Sequence, residues 1–135
     1  MTSPLLAVQA GVLAALKAAG AVAALVDGRI HDRVPANTVM PYLSFGPSQI
    51  VTDDADCIDG HEVFLQLDIW SREPGTVQAA HIGDAVRTAL HRRDMQAAGL
   101  RFQTEIRFVN FFRDGDGLTS HGVLSIRAFV DITTD

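Results

Sequence analysis

The sequence predicts a single α+β domain, 1–135, with two layers: an antiparallel or mixed sheet of about four strands and two main helices packed on one face of it. Two segments, 4–19 and 77–91, carry apolar residues at the spacing of an amphipathic helix. Other segments alternate apolar and polar residues with a period of two, which is typical of half-buried strands. The 135 residues and the 47% hydrophobic content are enough for one domain with a substantial core.

The first helix has a start signal in the sequence. Ser3 followed by Pro4 matches the preferred residues of the N-cap and the first helical position. Apolar residues then recur at helical spacing: Leu5, Val8, Val12 and Leu16. The pattern predicts a helix to about Ala19, a further short helical turn over 21–26 and an end at Gly28. Because no basic region precedes this apolar stretch, we expect a buried helix rather than a signal peptide or a membrane span.

The middle of the chain predicts strands followed by the second helix. Three prolines exclude a long helix between residues 29 and 47, whereas 42–45 and 49–52 have the composition of short strands. A regular alternation follows over 61–71, with two sets of residues on opposite faces: Val63, Leu65, Leu67 and Ile69 on one, and Phe64, Gln66, Asp68 and Trp70 on the other. Thr76 is the residue type that caps a helix N-terminus, so the second helix is predicted over 77–91.

The last third of the chain predicts a long β-hairpin, because 101–108 and 124–132 both alternate apolar and polar residues. On the first strand this alternation groups four residues on one face: Phe102, Thr104, Ile106 and Phe108. The stretch NFFRDGDGLTSHG, 110–122, lies between the two strands. Asp114 and Asp116 fit the first positions of a calcium-binding EF-hand loop, but the later ligand positions hold unsuitable residues. The two Asp-Gly pairs therefore favour a turn.

Composition excludes several classes of function. The formal net charge of -5 argues against a surface that clamps nucleic acid, which needs clustered Lys and Arg. The single cysteine, Cys57, has no disulfide partner within the chain and indicates synthesis in a reducing cytoplasm. Cys57 with His61 and Asp59 is too small a ligand set for zinc, and no motif unites a nucleophile, a base and an acid. The sequence therefore predicts no enzyme, no metal site and no cofactor.

Two groups of residues remain as candidates for interaction. Four carboxylates fall within seven positions: Asp53, Asp54, Asp56 and Asp59. Their repulsion predicts an extended, solvated loop, which is either an ordinary surface loop or a negative projection suited to facing DNA without holding it. Trp70, Phe111 and Phe112 are either core residues or anchors of an interface, and composition favours the core.

Four strings then occur in the order expected of a known family: IHDRVPANTVMPYLSFG (30–46), HEVFLQLDIWSREPG (61–75), IGDAVRTALHR (82–92) and FFRDGDGLTSHGVLSIRAFV (111–130). With the N-terminal helix, they resemble the DUF3168-type tail-completion, or tail-terminator, proteins of long-tailed phages and of phage-derived particles similar to gene transfer agents. The resemblance covers nearly the whole chain and is strongest at 34–42, 70–71 and 116–122.

The resemblance implies a structural virion protein that is made in the bacterial cytoplasm and resides at the head-proximal end of the tail. The resemblance further implies that copies of the chain form a hexameric ring that stops growth of the tail tube. The implied partners are further copies of the chain, the major tail tube protein and the head–tail connector or stopper, with DNA passing through the lumen without specific binding. No membrane is involved.

The resemblance leaves the contact surfaces open. We expect the acidic loop formed by the four aspartates to face the channel, and we take four residues as interface candidates: Trp70, Phe111, Phe112 and Arg113. Three alternatives stay open from the sequence, namely another neck component, such as a connector or stopper, a small non-viral ligand-binding α+β domain, and an enzyme whose site the sequence signals only weakly.

Overall fold

The computed structural model describes residues 3–53 and 60–131. Within these residues the chain forms three helices and six strands: α1 (Pro4–Ala18), α2 (Gly20–Val26), β1 (Ile30–His31), β2 (Tyr42–Asp53), β3 (Gly60–Ser71), α3 (Val77–Leu90), β4 (Arg93–Ala97), β5 (Leu100–Arg113) and β6 (Ser120–Asp131). The strand order is β1-β2-β3-β6-β5-β4. All neighbouring strands are antiparallel except β1 and β2, which are parallel. The α+β class and the helices on one face of a mixed sheet are as predicted.

The prediction of about four strands is wrong, because the sheet has six. The sequence predicts strands within β2, β3, β5 and β6, but β1 is only two residues long and too short to show an alternation. The strand β4 has the sequence RDMQA and no fully buried residue, so its composition does not indicate a strand. The two short strands predicted over 42–45 and 49–52 are one strand, β2, with an irregularity between Phe45 and Ser48 where Pro47 lies.

The first helix forms as its start signal predicts. Ser3 is the N-cap, and its Oγ accepts a hydrogen bond of 3.4 Å from the Leu6 N–H. Helix α2 is followed by its C-cap, Asp27, and by Gly28, which have positive φ angles of 53° and 73°. None of the helices in the described chain is, by itself, long and apolar enough to cross a membrane, whereas α1 and α2 pass that test only as a pair bent by 84°. Thr76 precedes α3 as predicted, although its side chain makes no capping hydrogen bond.

The core lies between the helices and one face of the sheet. The apolar residues of the alternating patterns are 0–2% exposed in β3 and 0% exposed in the described part of β6: Val63, Leu65, Leu67, Ile69, Leu124, Ile126, Ala128 and Val130. On β5 the alternation fails after Ile106, because an irregularity separates Ile106 from Phe108. Phe108 therefore pairs with Ser125 on the opposite face and is 44% exposed, so its predicted place beside Ile106 is wrong.

The contact of α1 with the sheet depends on Gly11. A Cβ added there would lie 2.6 Å from Cζ of Phe102, a ring that is only 5% exposed. We expect Gly11→Ala to lower the melting temperature, because overpacking costs about 1–3 kcal/mol while alanine improves helix propensity by only about 1 kcal/mol. Gly20→Ala is the matched control, since outside its chain neighbours and the backbone of its own helix no described atom lies within 4 Å of its added Cβ. Thermal unfolding followed by circular dichroism measures both, and a higher melting temperature for Gly11→Ala than for Gly20→Ala contradicts this close packing.

Candidate interaction surface

The face of the sheet opposite the helices, here called the open face, carries a row of aromatic side chains across five strands. Strand register places Tyr42 opposite Trp70, Trp70 opposite His121 and His121 opposite Phe112. His31 extends the row from β1, with its ring centroid 6.4 Å from that of Tyr42. Directly opposed residues of antiparallel strands share a face, so the pairing of β2, β3, β6 and β5 builds this row from residues far apart in sequence.

The centre of the row is held by hydrogen bonds. The Trp70 and His121 rings stack with centroids 3.9 Å apart and planes 9° apart, and Trp70 Nε1 donates to Ser44 Oγ at 3.1 Å. His121 Nε2 lies 2.8 Å from Oδ1 of Asp68, a residue that is only 7% exposed. Gln66 Nε2 donates to the same oxygen at 2.9 Å. These bonds fix the orientation of the indole and the imidazole.

The His121–Asp68 pair is the arrangement on this face closest to an acid–base pair. The neighbouring hydroxyl, on Ser44, accepts from the Trp70 N–H, and a surface depression of about 530 Å³ lies elsewhere, lined by residues of β4, β5 and β6 such as Asp94, Arg101 and Phe129. In residues 3–53 and 60–131, no group of three or more His, Cys, Asp and Glu side chains has a geometry that could hold a metal ion. The side chains of Ser44 and Asp68 hold the Trp70 and His121 rings in place.

A cluster of one arginine and two glutamates lies farther along the open face. Arg127 Nε donates to Glu62 at 3.0 Å and its Nη1 to Glu105 at 3.4 Å. The hydrogen bond with Glu62, followed by the charges of Glu62 and Glu105, raises the pKa of Arg127. Arg107 places its guanidinium 5.0 Å from the centroid of the Phe64 ring. The open face therefore combines aromatic rings with arginines, which are residue types enriched in protein–protein interfaces.

The interface candidates from the sequence lie near one end of the sheet but do not share one face. Trp70 and Phe112 are on the open face, and Phe112 is 52% exposed. Phe111 lies on the helix side, where its ring approaches Gly83 and Gly122, and it is 37% exposed. Arg113 is the exposed last residue of β5. The preference for the core drawn from composition is thus wrong for Phe111 and Phe112.

Asp68 and His121 were not singled out from the sequence as a pair. They lie 53 positions apart, so nothing in the local pattern joins them. The available signal was that Asp68 falls on the polar face of its strand next to Trp70, while His121 begins the return strand of the hairpin. Only the register of β3 against β6 brings the two together.

The turn between β5 and β6 is held by Asp116. Its Oδ1 accepts from the backbone N–H groups of Leu118 and Thr119, both at 2.9 Å, and its Oδ2 accepts from the Thr119 hydroxyl at 2.8 Å. The Thr119 N–H contributes most to lowering the pKa of Asp116 below its ordinary value of 3.8. The carboxylate thus satisfies backbone donors of the turn, as the hairpin interpretation predicts.

We expect Asp116→Ala to lower the melting temperature at neutral pH. Because the folded-state pKa is lowered, the stabilisation is present above the ordinary pKa and is lost as pH falls through the lowered pKa. Asp114→Ala is the control, since the Asp114 carboxylate accepts no hydrogen bond from the described residues. Melting curves at pH 7 and near pH 2 measure the effect, and equal losses for the two variants at pH 7 contradict the role of the Asp116 carboxylate.

The acidic loop can be placed only in part. Asp53 is the last residue of β2, where its backbone pairs with Gly60 of β3. Asp54, Asp56 and Asp59, together with Cys57, lie outside the described residues.

Comparison with known proteins identifies the family to which the chain belongs. A family model described as "Tail completion protein gp17" matches residues 10–131, which is most of the chain. The chain belongs to this family. The resemblance to tail-completion proteins read from the sequence is confirmed, and membership gives the chain a structural role in a tail.

Two solved structures share the fold of this family member. A chain from "Virion of native gene transfer agent (GTA) particle" is 23% identical, with a TM-score of 0.86, covering 96% of this chain and 99% of that one. "Structure of bacteriophage SPP1 gp17 protein" is 17% identical, with a TM-score of 0.65, covering 94% of this chain and 91% of that one. No curated protein sequence matches the chain.

Proposed function

We propose that the chain forms a hexameric ring at the head-proximal end of a tail, where it terminates the tail tube and joins it to the head–tail connector. The observation that carries this proposal is the family match over residues 10–131. The open face supports it, because aromatic residues and arginines are enriched where a surface contacts another protein. In this proposal the ring binds the major tail tube protein on one side and the connector or stopper on the other.

Particles assembled without the chain test the proposal. The expected result is tails of abnormal length and heads that carry no tail, both restored when the chain is supplied again. Electron microscopy of the particles measures tail lengths and the fraction of joined heads. Normal lengths together with normal joining contradict the proposal, and normal lengths with unjoined heads indicate a connector or stopper instead of a terminator.

Within the proposed ring, the acidic loop faces the channel. Carboxylates at Asp53, Asp54, Asp56 and Asp59 repel the phosphates of DNA, whereas Lys or Arg would bind them and release counterions. This repulsion acts only over about 8 Å at physiological ionic strength, so the loop has to lie close to the lumen to affect passage. A density map of the assembled ring tests the placement, and residues 53–59 on the outer circumference contradict it while leaving the ring itself intact.

A further inference from the structure

The sheet has an unpaired edge segment on each side. On one side, β1 pairs with only Leu43 and Ser44 of β2. On the other side, β4 pairs with only 100–104 of β5. In the part of the chain that the structure describes, no strand pairs with the outer edge of β2 over 48–53 or with that of β5 over 108–113. These two stretches are called the β2 edge segment (48–53) and the β5 edge segment (108–113).

Both edge segments expose apolar side chains. Ile50 and Val51 of the β2 edge segment are 41% and 40% exposed, and Phe108 and Phe112 of the β5 edge segment are 44% and 52% exposed. Each segment has six residues and begins where its strand resumes regular pairing after an irregularity. Alternate residues of such a strand direct their N–H and C=O groups outward, so each segment offers groups that a further strand can bind.

The strand directions fit a head-to-tail contact between copies of this chain. The strand β2 runs antiparallel to β3, β3 to β6 and β6 to β5, so β2 and β5 run in opposite directions. When two copies are related by rotation about an axis roughly along the strands, β2 of the second copy runs antiparallel to β5 of the first. The two edges lie on opposite sides of the sheet, which makes this contact heterologous, as ring formation requires.

The side chains of the two segments are compatible in charge and lie on matching faces. Arg107 and Arg113 flank the stretch from Phe108 to Phe112, whereas the β2 edge segment has no cation to repel them. Pairing the two segments end to end in antiparallel register sets Phe111 opposite Ile50 and Val51 opposite Asn110. Both Phe111 and Ile50 lie on the helix side of their own sheets, so this register keeps the two faces continuous, whereas a slip of one residue does not.

The segments are also staggered along the strands. A single row of paired residues crosses the sheet: Ser48, Leu65, Ile126 and Ile106. The β2 edge segment runs away from this row in one direction and the β5 edge segment in the other. Joining the two segments of adjacent copies shifts each copy along the strand direction by about six residues, or about 20 Å. Four strands are about 19 Å wide. The ratio of this shift to this width corresponds to a strand tilt of about 45°, near the range found in closed sheets.

We propose that 108–113 of one copy pair with 48–53 of the next as adjacent antiparallel strands, so that the sheets of the ring are joined edge to edge. The inference rests on the proposed ring and names its subunit contact. In this contact β1 covers part of the outer edge of β2 and β4 covers part of the outer edge of β5. The two short strands therefore limit how far the edge segments can slide along each other.

Disulfide crosslinking tests the contact. In a Cys57→Ser background, Val51→Cys and Asn110→Cys introduce one cysteine at the centre of each segment, on the same face and directly opposite in the proposed register. Opposed residues in a sheet are close enough for a disulfide after small adjustments. The protein is oxidised mildly, both alone and assembled on tails, and run on a denaturing gel without reductant. We expect the monomer band to be replaced by a ladder of crosslinked species that ends at a closed hexamer, and reduction should restore the monomer. Gln49→Cys with Asn110→Cys detects a register slip of two residues.

The control pair is Val51→Cys with Gln96→Cys. Gln96 is exposed on β4, on the same side of the sheet as the β5 edge segment but outside it, so this pair should remain monomeric. If native mass spectrometry shows hexamers but neither cysteine pair crosslinks, the edge contact is overturned and the proposed ring is retained. A ladder that closes at another number supports the contact and contradicts the hexamer. Protein that stays monomeric both alone and on tails overturns the ring and the contact together.

Discussion

Leu67→Ala should lower the free energy of unfolding by about 3 kcal/mol, within the range of about 2–5 kcal/mol for such core truncations. Leu67 is 0% exposed and lies in the middle of β3, opposite Phe45 of β2 and Leu124 of β6. Removal of its side chain therefore leaves a cavity between three strands and the helix layer. Because β3 pairs along its whole length with β6, its neighbours are held in place and cannot close the cavity completely.

Chemical denaturation with urea measures this loss as a lower midpoint at an unchanged slope. Val51→Ala is the matched control, since Val51 is an apolar strand residue that is 40% exposed, and it should cost less than about 1 kcal/mol. Similar losses for Leu67→Ala and Val51→Ala contradict the placement of the core on the helix side of β3.

The parts of the fold that could be predicted from the sequence are those whose own residues carry the signal. Ser3 and Pro4 start α1 because one caps the free N–H groups and the other has the required φ. The alternation in β3 predicts its buried face because each side-chain position is fixed by a period of two. Both signals are local, so they do not depend on contacts with distant segments of the chain.

The parts that could not be predicted depend on pairing between distant segments. The strand β1 is two residues long and exists because Ile30 and His31 pair with Leu43 and Ser44. The irregularity beside Arg107 shifts Phe108 to the open face, and no residue type in β5 signals it. The strand β4 is polar and is held through its pairing with β5. Propensity has little influence where tertiary pairing supplies the hydrogen bonds.

The candidate surface was predictable only in its individual residues. The alternation in β3 predicts Trp70 on the polar face of its strand, but its stacking partner His121 comes from β6, and the Asp68 carboxylate that holds His121 comes from β3. The register between neighbouring strands decides such contacts, and this register cannot be read from the residues of one strand. The family resemblance, in contrast, came from strings spread along the chain and did not need the register.

Trp70→Ala and Phe112→Ala should separate stability from assembly on the same aromatic row. Trp70→Ala removes the ring that stacks on His121 at 3.9 Å and the N–H that donates to Ser44. We expect it to lower the free energy of unfolding by about 2 kcal/mol, less than the roughly 3–5 kcal/mol of a fully buried tryptophan, because Trp70 is only partly buried. Trp70→Phe keeps an aromatic ring and should lose about 1 kcal/mol for the hydrogen bond.

Phe112→Ala should cost less than about 1 kcal/mol of stability, because the ring is 52% exposed and its centroid is 6.2 Å from that of His121. If the row is a surface for another subunit or a tail partner, this variant still reduces the fraction of joined particles, since a few anchor residues carry most of the binding energy of an interface. Urea denaturation and counts of joined particles by electron microscopy measure the two effects separately. Phe112→Ala with wild-type stability and wild-type joining removes Phe112 from the interface, whereas a stability loss as large as that of Trp70→Ala assigns Phe112 to the core.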